Sequence, residues 1–240
     1  MIRKKYILFV LIAFIFSIGI YSQTAKEVLS SLKKVYETST QLQANLQYRL
    51  YKGYEAKEVN EAYEGVYLKK NNRFYAKIGE VEIISTPSFY IKLNHREKAL
   101  LLADPIKINT EQMTNNIEQL FDYLDIAKFN DKGNYWEIEL KAKPITQLPF
   151  SSVEIQIEKN TYFIKKQIFY YNGEIDFSKE RTKSDMSSAK LEVVYSNYKQ
   201  TKFSFTDEIF NEKKYVAHTG KIYNPILQYK EYEIVNAKRK

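Results

Sequence analysis

The sequence predicts an α+β fold: one large antiparallel sheet, curved by its own width, with two or three helices on its concave side. Three observations lead there. Residues 24–51 read as one helix running directly into one long strand. Short alternating apolar runs follow, separated by polar, Gly or Pro breaks, as antiparallel neighbours joined by tight turns require. The chain is also rich in strand-favouring aromatics, with 21 Tyr and 14 Phe among 240 residues.

The elements can be justified in order. Val28, Leu29, Leu32, Val35 and Tyr36 form one apolar stripe at a period of 3.6, and Thr24 and Glu27 have capping-box spacing at its start. Leu42, Ala44, Leu46, Tyr48 and Leu50 then alternate with Gln41, Gln43, Asn45, Gln47 and Arg49, giving a strand with one apolar and one wet face. Strands are expected over 63–70, 73–78, 81–85, 89–93 and 98–103. A second helix is expected from Asn109 or Thr110, carrying Met113, Ile117, Leu120, Phe121 and Leu124 on one stripe. Strands resume over 135–141, 153–158, 162–171 and 191–198. Lys159-Asn160-Thr161 suits a hairpin turn, and Asn172-Gly173 signals another because both residues tolerate positive φ. Residues 179–188 read as an exposed loop, and 229–235 as a last strand, for about ten strands in all.

Composition bounds the biology. Arg3, Lys4 and Lys5 precede an apolar run over 6–20, and Ile20-Tyr21-Ser22 offers a cleavage site before Gln23. Residues 1–22 are therefore expected to be a secretory signal peptide, and 23–240 a single domain large enough to bury a core. With no Cys, the chain has no lipobox, disulfide, thiol nucleophile or Cys-ligated metal. Net charge falls from +8 to +5 without the three signal-peptide cations. Basic and acidic residues are interleaved, as in Lys57-Glu58 and Lys179-Glu180-Arg181, so no nucleic-acid stripe is expected. A periplasmic protein of a Gram-negative bacterium, soluble once the signal is removed, fits these features.

Little in the chain promises catalysis. His95 and His218 both lie in turn-like stretches and read as surface histidines. No nucleophile elbow, zinc-protease motif or phosphate loop is present, and only 7 Gly are available to build one. Asp122 and Asp125 read as solvated charges, and Asp207-Glu208 lacks the spacing of a calcium loop. No catalytic residue, cofactor or metal is expected, and the chain is not expected to be an enzyme.

What remains is the apolar face of the sheet. Two helices are few for so wide a sheet, which leaves room for a hydrophobic cleft. Its expected lining is Leu46, Tyr48, Leu50, Val66, Leu68 and Phe89, with Ile91, Leu100, Leu102, Trp136 and Ile138. Tyr215, Tyr223, Tyr229 and Tyr232 in the tail form an alternative contact surface for a protein partner.

The order of motifs resembles the bacterial lipoprotein-carrier family, the LolA/LolB-like proteins. Ala25-Lys26-Glu27-Val28-Leu29 through Val35-Tyr36, then Leu46-Gln47-Tyr48, are similar to its opening helix and strand. The run from Gly65 through Lys69-Lys70-Asn71-Asn72-Arg73-Phe74 is similar to its next strand and turn. Trp136-Glu137-Ile138-Glu139-Leu140 resembles the entry to its second half, and the 191–198 strand followed by Phe203-Ser204-Phe205 resembles its end. The resemblance implies a curved antiparallel β half-barrel with two or three helices covering the concave face. It implies a carrier for a lipid, a lipoprotein acyl chain or another hydrophobic cargo, with envelope or outer-membrane protein partners. It also places Lys70 where the family has a strand-end Arg that controls the lid, and Thr86-Pro87-Ser88 where an Asp-Gly turn is usual. The alternative is a structural or sensor interaction module of an envelope assembly built on the same fold.

Overall fold

The structure is a computed structural model, and it describes residues 24–105, 123–144, 148–178, 183–200, 205–220 and 222–238. The expected signal peptide and almost all of the expected second helix lie outside these residues.

Helix α1 (Ala25–Thr38) forms as its sequence dictates. Thr24 Oγ1 accepts from the Glu27 amide at 3.3 Å, and Glu27 Oε2 accepts from the Thr24 amide at 2.8 Å, so both orphan donors are satisfied. Ala25, Val28, Leu29, Leu32 and Tyr36 are buried, while Val35 is only half-buried. At the other end the Lys69 ammonium donates to the carbonyl of Tyr36, a cation on the negative end of the helix.

Strands β1 (Gln41–Lys52), β2 (Glu61–Lys70), β3 (Arg73–Ile78), β4 (Val81–Ser85), β5 (Tyr90–Asn94) and β6 (Ala99–Ala103) follow. Then come β7 (Leu124–Asp131), β8 (Tyr135–Ala142), β9 (Phe150–Glu158), β10 (Ile164–Asp176) and β11 (Met186–Lys199). The tail holds β12 (Val216–Thr219), β13 (Ile222–Pro225) and β14 (Glu233–Asn236). Twelve strands form one sheet in the order β14-β6-β5-β4-β3-β2-β1-β11-β10-β9-β8-β7, and β12 and β13 form a separate hairpin. Every ladder in the large sheet is antiparallel except β14 on β6. Its two ends, β7 and β14, do not pair, so the sheet is open.

Several expectations need correction. The described residues contain one α-helix rather than two or three. Leu124, expected to close the second helix stripe, instead begins β7, opposite Ala142, and is buried in the cluster that α1 joins. Strands outnumber the expected ten because β7 and the short β12–β13 hairpin are added, whereas β14 matches the expected last strand. Asn172-Gly173 is no turn: β10 runs through it, and the pairing with β11 shifts between Tyr170 and Glu174. The long partner strand holds the chain extended, and the local turn preference survives as an irregularity. Met186 to Ser188, expected in a loop, already pair with β10. Strand β1, the first in sequence, stands in the middle of the sheet between β2 and β11.

Two hydrophobic cores result, on opposite faces. Ala44 pairs with Tyr67, so Leu42, Ala44, Leu46, Tyr48 and Leu50 share a face with Tyr67. This is the face α1 packs on, since Leu42 and Tyr67 belong to its cluster with Trp136, Ile138, Leu140, Val153, Ile155 and Ile157. The neighbouring residue Leu68 points the other way. It joins Tyr75, Ile84, Ile91, Leu93, Leu100 and Leu102 under the tail residues Ile209, Phe210, Tyr215, Val216 and Tyr229. The sheet therefore has a helix side and a tail side. The helix-side cluster takes residues from β2 across to β7, about 29 Å apart if flat, around one helix about 10 Å wide. The sheet must curl toward the helix to bring them together.

Candidate functional site

On β1 the apolar alternation read from sequence is oriented as expected: Leu46, Tyr48 and Leu50 all face the helix side. Leu46 is buried, and Tyr48 and Leu50 are half-buried. Trp136 and Ile138 face the same side but are buried in the helix cluster. The remaining six members of the expected cleft are not on this face. Val66, Leu68, Phe89, Ile91, Leu100 and Leu102 belong to the tail-side core. The expected lining is thus not one surface. The tail, folding back over β2 to β6, fills their side of the sheet.

The helix-side residues of those same strands are the ones sequence reasoning passed over. Register places Tyr67, Ala76, Ile83, Lys92 and Leu101 in one row across β2 to β6. Gly65, Ile78 and Val81 form the next row, and Phe74, Ser85, Tyr90 and Ala103 another. Phe74, Ile78, Val81, Ile83 and Leu101 are half-buried and belong to neither core cluster. The sequence signal was present but ambiguous, because β2 to β6 carry apolar residues on both faces.

A group of tyrosines joins this surface to the helix. Tyr36 Oη and Tyr198 Oη are 2.9 Å apart, Tyr198 donates to the Ile164 carbonyl at 2.7 Å, and Tyr195 donates to Gln167 Oε1 at 2.6 Å. Phe163 stacks on Tyr198 with ring centroids 4.3 Å apart. Tyr195 and Tyr198 share a face although three positions separate them. Asn197 sits between at φ 52°, and the ladder to β1 shifts between Gln43 and Asn45, so a bulge realigns the two rings. Burial pushes the Tyr36 and Tyr48 phenols up to about 12, and raises Tyr67, Tyr195 and Tyr198 as well. All five remain neutral hydrogen-bond donors across the physiological range.

Gly65 makes room for this group. A Cβ there would lie 2.5 Å from the Lys77 backbone oxygen and 3.2 Å from Cε2 of Tyr48. Glycine lets the Tyr48 ring lie against the sheet. On the tail side of β1, Gln43 was expected to be wet but is buried, and its Oε1 has no hydrogen-bond partner among the described residues.

Lys70 does not reach the helix side. It lies on the tail side with Leu68, and its Nζ meets Asp207 at 2.7 Å. Arg73 adds a second contact to Asp207 at 3.2 Å and stands 4.7 Å over the Phe210 ring. Together they clasp the tail, and the Lys70 ammonium beside Asp207 holds its carboxyl below the usual range. Asp207→Asn is expected to speed cleavage within 205–238 in limited proteolysis at low salt. About 1 M salt should erase the difference between variant and parent, because the pairs are exposed. Equal cleavage rates at low salt would show that the clasp contributes nothing.

His95 also departs from expectation. It is half-buried, with Nδ1 2.7 Å from Tyr232 Oη and Nε2 3.0 Å from Glu82 Oε1. His218 is exposed. Tyr215 and Tyr229, expected on a contact surface, are buried in the tail-side core. Among the described residues no group of three His, Asp or Glu side chains is placed to hold a metal ion. No described helix is long and apolar enough to cross a membrane.

No family model and no curated protein matches the chain. Several solved structures are similar to it. An uncharacterized conserved protein from Thermus thermophilus is 14% identical, with a TM-score of 0.48, over 89% of this chain and 99% of that one. A LolA superfamily protein from Nitrosomonas europaea is 14% identical, with a TM-score of 0.32, over 80% and 100%. The Mycobacterium tuberculosis lipoprotein LppX is 7% identical, with a TM-score of 0.33, over 73% and 96%. With each TM-score below 0.5, the open-sheet architecture rests on the strand order and register given above.

Proposed function

We propose that this protein binds a lipid, an acyl chain or another hydrophobic cargo on the helix side of its sheet, and carries it without chemistry. The observation that carries this reading is the surface of Phe74, Ile78, Val81, Ile83 and Leu101. It is apolar, half-buried and part of neither core. Each methylene removed from water is worth about 0.8 kcal/mol, so acylated cargo crossing an aqueous compartment needs such a shield. The order of motifs along the chain leads the same way. The basic and apolar segments over 3–20 support export to the periplasm, with one domain from residue 23 onward.

Purification from envelope extract followed by lipid mass spectrometry tests the reading directly. The expected result is one dominant acyl species at near-stoichiometric amounts. Ile83→Glu is expected to lower that amount at least tenfold while leaving the melting temperature nearly unchanged. The residue is half-buried, so its carboxylate stays wet in the free protein and is desolvated only beneath cargo. Protein free of lipid in both forms would sink the idea.

A second reading, an interaction module, has its own support in the tail. Ile222 is 66% exposed, Leu227 83% and Val235 51%. A stoichiometric co-purifying protein in the absence of bound lipid would favour it.

A further inference from the structure

We propose that Asn172 is a site of self-modification: the Gly173 backbone nitrogen converts its side-chain amide to a carboxylate, and the converted residue lets go of the segment that enters β9. The proposal stands apart from the cargo reading.

Asn172 is the only asparagine in the chain that is followed by glycine. Glycine has no Cβ to shield its own nitrogen, so that nitrogen can reach Cγ of the side chain before it. A regular ladder would hold both residues extended from two sides. Here β10 bulges instead. Tyr170 pairs with Lys190 and Glu174 with Ser188, so residues 171 to 173 stand opposite Ala189 alone. Pairing with β9 stops at Tyr171. Asn172 and Gly173 are both exposed, and nothing lies within 4 Å of where a Gly173 Cβ would be. Asn172 also clamps the chain entering β9. Its backbone N donates to the Pro149 carbonyl at 3.1 Å, and its Nδ2 donates to the Leu148 carbonyl at 2.7 Å. Leu148 and Phe150 pack against the helix-side cluster, where Phe150 meets Phe169 edge-on with ring centroids 5.6 Å apart.

The step needs only water. The Gly173 nitrogen gives up its proton and bonds to Asn172 Cγ. The Cγ–Nδ2 bond breaks, and that nitrogen leaves as ammonia with the proton. Water then opens the cyclic imide at either carbonyl. Opening at Cγ yields aspartate, and opening at the main-chain carbon yields isoaspartate, which adds a carbon to the backbone. Both products lack the Nδ2 donor and carry a new negative charge, so the Leu148 carbonyl loses its partner.

The test ages the full chain, purified without its signal segment, in mildly alkaline buffer made with ¹⁸O water. Peptide mapping by mass spectrometry then reads each asparagine. Labelled aspartate and isoaspartate are expected to accumulate at residue 172 well ahead of the exposed Asn71 and Asn160. Gly173→Ala is expected to slow the conversion about tenfold by shielding the attacking nitrogen, with the fold unchanged. Asn172→Asp, which carries the aspartate product from the start, tests the release. Its amides at 150–152 should exchange about tenfold faster than the parent's, the worth of the lost hydrogen bond. Conversion at Asn172 no faster than at Asn71 and Asn160, or unaffected by Gly173→Ala, overturns the self-modification. Exchange at 150–152 that Asn172→Asp leaves at the parent's rate overturns the release.

Discussion

Between about pH 10 and pH 12 the protein is expected to lose several kcal/mol of stability, through phenols that cannot ionise in place. The sign follows from the direction of the shifts. Burial raises Tyr36 to about 12, whereas in the unfolded chain its phenol ionises near 10. A group whose folded pKa is raised contributes stability that is complete below pH 10. That contribution drains away as pH climbs toward the folded value. For Tyr36, which is buried against the stacked Phe163–Tyr198 pair, it amounts to about 3 kcal/mol. Tyr67, Tyr195 and Tyr198 shift the same way. Thermal melts should give a flat midpoint up to about pH 9.5 and a steep fall above it, and Tyr36→Phe should flatten the fall. Ultraviolet titration should show the buried phenols ionising together with unfolding. Ionisation of every tyrosine near pH 10 in a still-folded protein would refute the burial.

The second large effect is expected at Gly65. An alanine Cβ would stand 2.5 Å from the Lys77 carbonyl oxygen, which is backbone and cannot swing aside. The β2–β3 ladder must spread there, at a cost of about 2 to 3 kcal/mol. In a domain of this size that lowers the melting temperature by roughly 5 to 10 °C. The Tyr48 ring, 3.2 Å from the new atom, is displaced as well, so lipid binding should weaken in the same variant. Gly173→Ala is the matched control, since nothing lies within 4 Å of its added Cβ and its φ is ordinary. Equal midpoints for Gly65→Ala and the parent would rule out the close approach.

The opening of the chain was legible because each signal there has one interpretation. The Thr24–Glu27 box can only start a helix, and the alternation from Leu42 to Leu50 has one apolar side. Further on, the signal became two-sided. In Val66-Tyr67-Leu68 every side chain is apolar, and which face is buried in which core depends on what covers each side. That cover is the tail, whose place on β2 to β6 follows from contacts more than a hundred residues distant, such as Lys70 with Asp207. The same fold-back explains why Tyr215 and Tyr229 are interior residues while reading as surface ones. Asn172-Gly173 failed as a turn for a related reason: a local preference gave way to a ladder formed with a distant strand.

The ladder between β1 and β11 carries a consequence for how the chain is made. It joins Leu46 to Tyr195 at the centre of the sheet, so its loop-closing entropy is among the largest in the molecule. A chain emerging from its N-terminus can zip β1 to β6 into a meander at once, but the second edge of β1 stays bare until β11 is out. During that interval the longest apolar strand of the first half is a ready template for pairing with another chain. Synthesis of this protein therefore calls for a holding factor, or for folding fast enough that the two halves meet before neighbours do.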